Sequence, residues 1–292
     1  MIPRTTLSVV IAAALLSLAP IRAQEPAVTP STATPNIHDL APAILPTDRL
    51  DIPWWAERHA RIVERVRQRP DINLLLIGDS ITQNYEKSSP PDEDFLPIWR
   101  QFYEPRRALN LGFSGDTTAN LLWRLTHGEI DGLRPQAAVV LIGTNNTGHA
   151  HQTAEQTIAG INNVVGTLTQ RLPQTRILLI GLLPSDVSPE KTAADQAINK
   201  YLETRYGKAA DKKAGKDTDA RVTWLDISST FMSSASALNA AIFYDPRLPT
   251  PGKPLHPDTI GQRKMAEAIE PTLAKLMYDK PRTAQPVAVS TK

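Results

Sequence analysis

Three short stretches just past apolar runs of this chain, and a fourth just before its last helical stretch, together carry the residue types that ester hydrolysis needs. Leu74–Ile77 runs into Gly78-Asp79-Ser80, "NLGFSGDTT" closes a second run, "IGTNNTG" a third, and "PGKPLHPD" precedes the last helical stretch. A serine hydroxyl is a poor nucleophile at neutral pH and needs a base within hydrogen-bond reach. His256 is the candidate base, because imidazole titrates near working pH. Attack on an ester carbonyl creates an oxyanion, which needs donors already aimed at it. Gly115 has no side chain to block approach to a backbone N–H, and the carboxamide of Asn145 is a neutral donor. Each signal is ordinary alone. Gly-Asp-Ser arises by chance, Gly and Asn are turn residues, and a His in a Pro-rich loop usually lies at the surface. Their placement after successive strand-like runs and before the last helical stretch, in one chain, is what joins them.

Those runs must be the elements that position the site. Asn73–Ile77, Ala108–Leu111, Ala137–Ile142, Arg176–Ile180 and Val222–Leu225 are short, nearly continuous in apolar residues and often end at Gly. That suits strands buried on both faces, as in a parallel sheet. Between them, apolar residues step by three or four. Helices are predicted over Trp55–Arg69, Gln152–Leu172, Ala193–Tyr206 and Ile260–Met277. A shorter one is predicted over Thr117–Thr126, with Asp116 near its N-cap. The fold class is therefore α/β, a three-layer α/β/α sandwich on a five-stranded parallel sheet. In such sheets ligands collect at the carboxyl ends of the strands, where three of the four stretches fall.

The ends of the chain read differently. Arg4, an apolar run from Leu7 to Ala19 and the exit "PIRAQEP" describe a secretory signal peptide over residues 1–23. Residues 24–47, rich in Pro, Thr and Ala, read as an extended tether, residues 48–279 as the domain, and 280–292 as a flexible tail. A secreted or periplasmic location follows, without a stable membrane span after cleavage. Of 292 residues, 32 are Lys or Arg and 30 Asp or Glu, and removal of Arg4 and Arg22 leaves the mature chain neutral. No nucleic-acid footprint stands out, and the cationic "KAADKKAGKD" reads as a solvated helix end. The absence of cysteine excludes disulfides, thiol nucleophiles and thiolate metal sites. His149 and His151 lack a third ligand at metal spacing, and no Gly-rich phosphate-binding motif follows the first strand. No cofactor or metal is expected.

Longer strings make the set specific. Gly78-Asp79-Ser80-Ile81-Thr82, "WRQFYEPRRALNLGFSGDTTANLLWRLTHGEIDGLRP", "VVLIGTNNTG", "AGINNVVGTL" and "RILLIGLLP" resemble the GDSL, or Ser-Gly-Asn-His (SGNH), hydrolase family. Within it they are similar to the catalytic subunits of platelet-activating factor acetylhydrolase and their bacterial relatives, over roughly residues 70–277. The resemblance implies a flavodoxin-like sheet and a lipase-like serine esterase with Ser80 as nucleophile and His256 as base. It implies an oxyanion hole made by the N–H groups of Ser80 and Gly115 and the side chain of Asn145. It also implies a small ester substrate (an acetylated lipid, glycan or small molecule) and a homodimer.

One position departs from the family pattern. Three residues before the His, where the family places an Asp, this chain has Lys253. A cation there disfavours imidazolium. Either "FYDPRLPTPGKPLHP" contains an insertion across which Asp245 reaches the imidazole, or a backbone carbonyl orients the ring and the enzyme runs as a dyad. Asp258, two residues after the His, reads as a helix cap. Lys253 also admits an alternative from another class, a non-catalytic ligand- or glycan-binding protein on the same scaffold. The segment "NYEKSSPPDEDFLP" after Ser80 is expected to wall the acyl or alcohol pocket.

Overall fold

The computed structural model describes residues 36–68, 71–207 and 219–282. The signal-peptide segment, the first part of the tether, the "KAADKKAGKD" stretch and the tail beyond Arg282 lie outside the described residues. Five strands form one parallel sheet: β1 (Leu74–Gly78), β4 (Ala108–Gly112), β5 (Ala137–Leu141), β6 (Arg176–Ile180) and β7 (Val222–Leu225), in the order β4-β1-β5-β6-β7. A two-stranded hairpin, β2 (Ser88–Ser89) and β3 (Glu93–Asp94), stands apart from it.

The strands are mostly apolar because both faces of the sheet are covered, with Asn110 in β4, Arg176 at the start of β6 and Thr223 in the half-buried β7 as the exceptions. Leu75, Ile77, Leu109, Leu111, Ala138, Val140, Ile177 and Leu179 face one core, together with α2 (Pro53–Gln68), α5 (Thr118–Thr126), α7 (Ala154–Arg171) and α8 (Pro189–Tyr206). Leu74, Leu76, Ala108, Val139, Leu141, Leu178 and Ile180 face the other, with α4 (Leu96–Phe102) and α9 (Thr259–Met277). Each fully buried Leu or Ile contributes about 1.5–3 kcal/mol relative to exposure. Helix starts follow local chemistry: Thr153 and Gln156 form a capping box on α7, and Asp258 caps α9 by accepting from the Gly261 N–H at 2.8 Å.

The register sets up the site. Gly78 at the end of β1 pairs with Gly112 of β4 on one side and Leu141 of β5 on the other, so three strand ends lie level. The chain passes from β1 outward to β4 and then back across to β5, a reversal of direction that opens a crevice at the carboxyl ends. Two one-turn helices leave these ends: α3 (Ser80–Gln83) after β1 and α6 (Thr144–Thr147) after β5.

Two expectations are corrected. The tether does not stay extended through residue 47, because Ile37–Ile44 forms a helix, α1, capped by the Asn36 side chain. Ile37, Leu40, Ala41 and Ile44 have helical spacing that the prolines obscure. So short a helix depends on tertiary partners. Its carbonyls accept from the side chains of Gln156 (to Asp39), Gln152 (to Pro42) and Thr118 (to Ala43), and Ala43 is buried. The ordered domain therefore starts before residue 48. Asp116 does not cap α5: Thr117 does, in a capping box with Asn120, and Asp116 turns inward.

Candidate active site

Asp79 places Ser80, the candidate nucleophile. It is the N-cap of α3, and its Oδ1 accepts from the Ile81 N–H at 3.0 Å, so Ser80 opens a helical turn directly off β1. Burial pushes the Asp79 pKa up to about 6, against that backbone hydrogen bond and the field of His256. β4 has to pass very close to this turn. A Cβ on Gly112 would lie 2.2 Å from the Gln83 nitrogen, so only glycine fits where β4 ends.

Ser80 Oγ lies 3.0 Å from His256 Nε2, although 176 residues separate them in sequence. On the far side of the ring, Nδ1 lies 2.9 Å from Asp245 Oδ1. The other carboxylate oxygen, Oδ2, accepts from the backbone N–H groups of Leu255 (3.0 Å) and His256 (2.5 Å). Burial disfavours the ionised carboxylate, but the hydrogen bonds from the His256 ring and from both backbone N–H groups hold its pKa below the ordinary value. The Tyr244 ring stacks on the imidazole at 5.3 Å and 23°.

The eleven-residue step from Asp245 to His256 is closed by its own backbone, as Gly252 N–H donates to the Asp245 carbonyl at 2.9 Å and Tyr244 N–H to that of His256 at 3.1 Å. Lys253 points outward. It is 65% exposed, and its Nζ lies 3.5 Å from Asp186, on the outer side of the loop. Of the two orienting groups left open by the sequence, a carboxylate or a backbone carbonyl, the group facing the imidazole Nδ1 is the Asp245 carboxylate.

Gly115 lies in the loop after β4 with φ +79°, a conformation that glycine adopts freely. An added Cβ there would also meet the Arg49 guanidinium at 3.1 Å. Asn145, on α6, donates one Nδ2 proton to the Asp116 carbonyl at 2.9 Å, which leaves a second proton on the same nitrogen. The structure thus brings Ser80, His256, Gly115 and Asn145 to one end of the sheet, as their positions in sequence predict.

A buried charge network underlies the Gly115 loop, and sequence reasoning missed it. Arg124 is fully buried on α5. Its Nε bonds Asp116 Oδ2 at 2.7 Å and its Nη1 bonds Glu129 Oε2 at 2.6 Å. It also reaches the carbonyls of Leu111 (3.2 Å) and Gly78 (3.4 Å), at the ends of β4 and β1. Asp116 Oδ1 accepts from Trp55 Nε1 (2.8 Å) and Arg49 Nη1 (3.1 Å), and Glu129 is shared with His59 at 2.9 Å. Burial raises the Asp116 pKa, against the pull of Arg124 and Trp55. An arginine inside an amphipathic helix reads as solvent-facing, so only the string "LWRL" hinted at this role.

The segment after Ser80 folds back onto the His256 loop. The hairpin offers the Asp92 carbonyl to Thr259 N–H (2.9 Å) and the Asp94 N–H to Thr259 Oγ1 (3.0 Å), and Arg247 bridges Asp92 (3.3 Å) and Asp258 (2.7 Å).

Residues 76–264 match the sequence profile of the GDSL-like lipase/acylhydrolase family. The alpha2 subunit of platelet-activating factor acetylhydrolase IB from Rattus norvegicus is 31% identical over 252 residues, which cover 85% of this chain and 96% of the relative. The alpha1 subunit from Homo sapiens is 30% identical over 241 residues, covering 81% of this chain and 91% of that one. Among solved structures, a GDSL-like lipase from Bacteroides thetaiotaomicron superposes with a TM-score of 0.54 at 16% identity, covering 74% of this chain and 98% of its own. A carbohydrate esterase family 3 protein from Talaromyces cellulolyticus gives 0.50 at 17% identity, covering 72% and 99% respectively. These structural likenesses are likenesses of fold, and the fold is the parallel sheet with flanking helices described above. With the profile spanning most of the domain and relatives matched over nearly their whole length, the chain belongs to the GDSL-like lipase/acylhydrolase family and is a carboxylic ester hydrolase.

Proposed function

We propose that this chain is an exported serine esterase that removes short acyl groups, acetyl above all, by two-step acyl transfer. The observation that carries the mechanism is the hydrogen-bonded line Ser80 Oγ–His256 Nε2 at 3.0 Å and His256 Nδ1–Asp245 Oδ1 at 2.9 Å. Ser80 Oγ attacks the ester carbonyl while Nε2 takes its proton, and Asp245, ionised and anchored by two backbone N–H groups, balances the imidazolium. The Ser80 and Gly115 N–H groups and the second Nδ2 proton of Asn145 receive the oxyanion. Collapse of the tetrahedral intermediate passes the proton from Nε2 to the leaving alcohol and leaves an acyl-Ser80. Water, deprotonated by His256, then releases the carboxylic acid and restores the serine.

Export is supported by the basic start, apolar run and small-residue exit of residues 1–23, which lie outside the described residues. Among the described residues no helix is long and apolar enough to cross a membrane. The acetyl preference is supported by relatives that bear the name acetylhydrolase at 30–31% identity. The contacts of the 88–94 hairpin with Thr259 and Arg247 support its reading as one wall of the acyl or alcohol pocket.

Hydrolysis of p-nitrophenyl acetate, butyrate and octanoate, with Ser80→Ala as background, tests this reading. The acetate is expected to give the highest kcat/KM and Ser80→Ala none above background. A rate rising with chain length sinks the short-acyl assignment, and activity retained by Ser80→Ala sinks the mechanism.

A further inference from the structure

The turn that carries Asn145 is one helical turn, Thr144–Thr147. A single turn has no stability of its own, because nucleation is unfavourable, so its neighbours decide where its side chains point. One Nδ2 proton of Asn145 is committed to the Asp116 carbonyl at 2.9 Å. The direction of the other proton is then set by the rotation of α6.

The two flanks of α6 are held differently. On one side Asn146 Nδ2 donates to Thr118 Oγ1 (2.8 Å) and Gln152 Oε1 (2.7 Å), and its Oδ1 accepts from the Thr118 N–H (3.1 Å). These are neutral contacts. On the other side Thr147 Oγ1 donates to Asp195 Oδ1 at 2.6 Å and accepts from Lys191 Nζ at 3.1 Å, while Nζ also bonds Asp195 Oδ2 at 2.5 Å. Lys191 and Asp195 stand one turn apart on α8 and are only 3% and 4% exposed.

A buried ion pair is a costly way to join two helices, since an apolar pair of equal volume fills the space without desolvating two charges. What it adds is direction. The three groups close a triangle that turns the Thr147 hydroxyl to the carboxylate at 2.6 Å, in preference to the Thr144 carbonyl at 3.5 Å, while it accepts from the ammonium. We infer that the Lys191–Asp195 pair is a positioning element of the oxyanion hole, fixing Thr147 and, through the turn it ends, the aim of the Asn145 carboxamide. The inference rests on the esterase mechanism proposed above. It assigns a functional task to two charged residues of α8 that a helical wheel reads as an ordinary surface pair.

Thr147→Val removes the hydroxyl while leaving the ion pair whole, and Thr147→Ser keeps the hydroxyl. Both are assayed on p-nitrophenyl acetate in the wild-type and Asn145→Ala backgrounds, with thermal unfolding recorded for each. Thr147→Val is expected to lower kcat about tenfold or more with KM held within about twofold, and Thr147→Ser to stay within about twofold of wild type. In the Asn145→Ala background Thr147→Val should cost nothing further, because its effect runs through Asn145. The double variant Lys191→Met/Asp195→Leu, which keeps the volume apolar and foldable, should show the same kcat loss and the same dependence on Asn145. A Thr147→Val kcat within about twofold of wild type overturns the inference, as does an equal loss with Asn145 already removed. Absence of any hydrolysis by the wild type overturns it together with the mechanism, whereas active wild type with unaffected Thr147→Val overturns it alone.

Discussion

Asp245→Asn separates a Ser-His-Asp arrangement from a dyad, and the geometry says which way the amide must face. Asp245 Oδ2 accepts two backbone N–H groups, from Leu255 and His256, at 3.0 and 2.5 Å. An asparagine keeps its oxygen there, since an NH2 group facing two donors would leave all of them unsatisfied. Its Nδ2 then faces His256 Nδ1, where Asp245 Oδ1 now sits at 2.9 Å. A donor in that place makes Nδ1 the acceptor and moves the ring proton to Nε2, the nitrogen that must take the proton of Ser80. The expected loss is the one known for the wrong tautomer in serine hydrolases, a factor on the order of 10⁴ in kcat, or about 5 kcal/mol of transition-state stabilisation. The loop itself should survive, because the two backbone hydrogen bonds are kept. Steady-state hydrolysis of p-nitrophenyl acetate, with Ser80→Ala as background and a thermal melt as control for folding, measures this. A kcat within tenfold of wild type, in a variant that melts with it, would refute the assignment of Asp245.

Three further outcomes follow from the same contacts. Lys253→Ala should leave kcat/KM within about twofold, because Lys253 is 65% exposed and pairs with Asp186 rather than facing the imidazole; a loss of tenfold contradicts that placement. Arg124→Met should cost roughly 3–5 kcal/mol in urea unfolding, since it takes the guanidinium from between the buried Asp116 and Glu129 carboxylates, and a cost under about 1 kcal/mol counts against the network. Asp79 provides a pH test. Its pKa is raised in the folded state from 3.8 to about 6, so the folded state binds this proton more tightly than the unfolded chain. Its contribution to stability is therefore full below about pH 4 and is lost as pH rises through about 6, a change of roughly 3 kcal/mol. Asp79→Asn should accordingly gain on wild type by that order between pH 4 and pH 7.5 in paired urea titrations, and a stability difference flat with pH contradicts the shift.

The sheet was legible because burial on both faces leaves an unmistakable trace: Leu74–Gly78 and Ala137–Leu141 are buried at every position and carry no polar side chain. Ser80, Gly115, Asn145 and His256, the proposed nucleophile, oxyanion-hole residues and base, were legible because each lies within a few residues of a strand's carboxyl end or a helix start. Asp245 was only half legible. Its role depends on closure of an eleven-residue loop, and no periodicity encodes which carboxylate a Pro-rich loop delivers. α1 was hidden by prolines that its tertiary hydrogen bonds tolerate. Arg124, Lys191 and Asp195 were illegible for one shared reason. A charge in a helix is usually solvated, and only the assembled fold shows that these three are buried with partners.

The central claim is that Ser80 attacks and carries the acyl group. Intact-protein mass spectrometry after treatment with a fluorophosphonate tests it most directly, with peptide mapping of the adduct. A single adduct on Ser80, absent from Ser80→Ala and formed far more slowly by His256→Ala, is the predicted result. No adduct on a folded, untreated-like protein, or an adduct that persists in Ser80→Ala, would contradict the account.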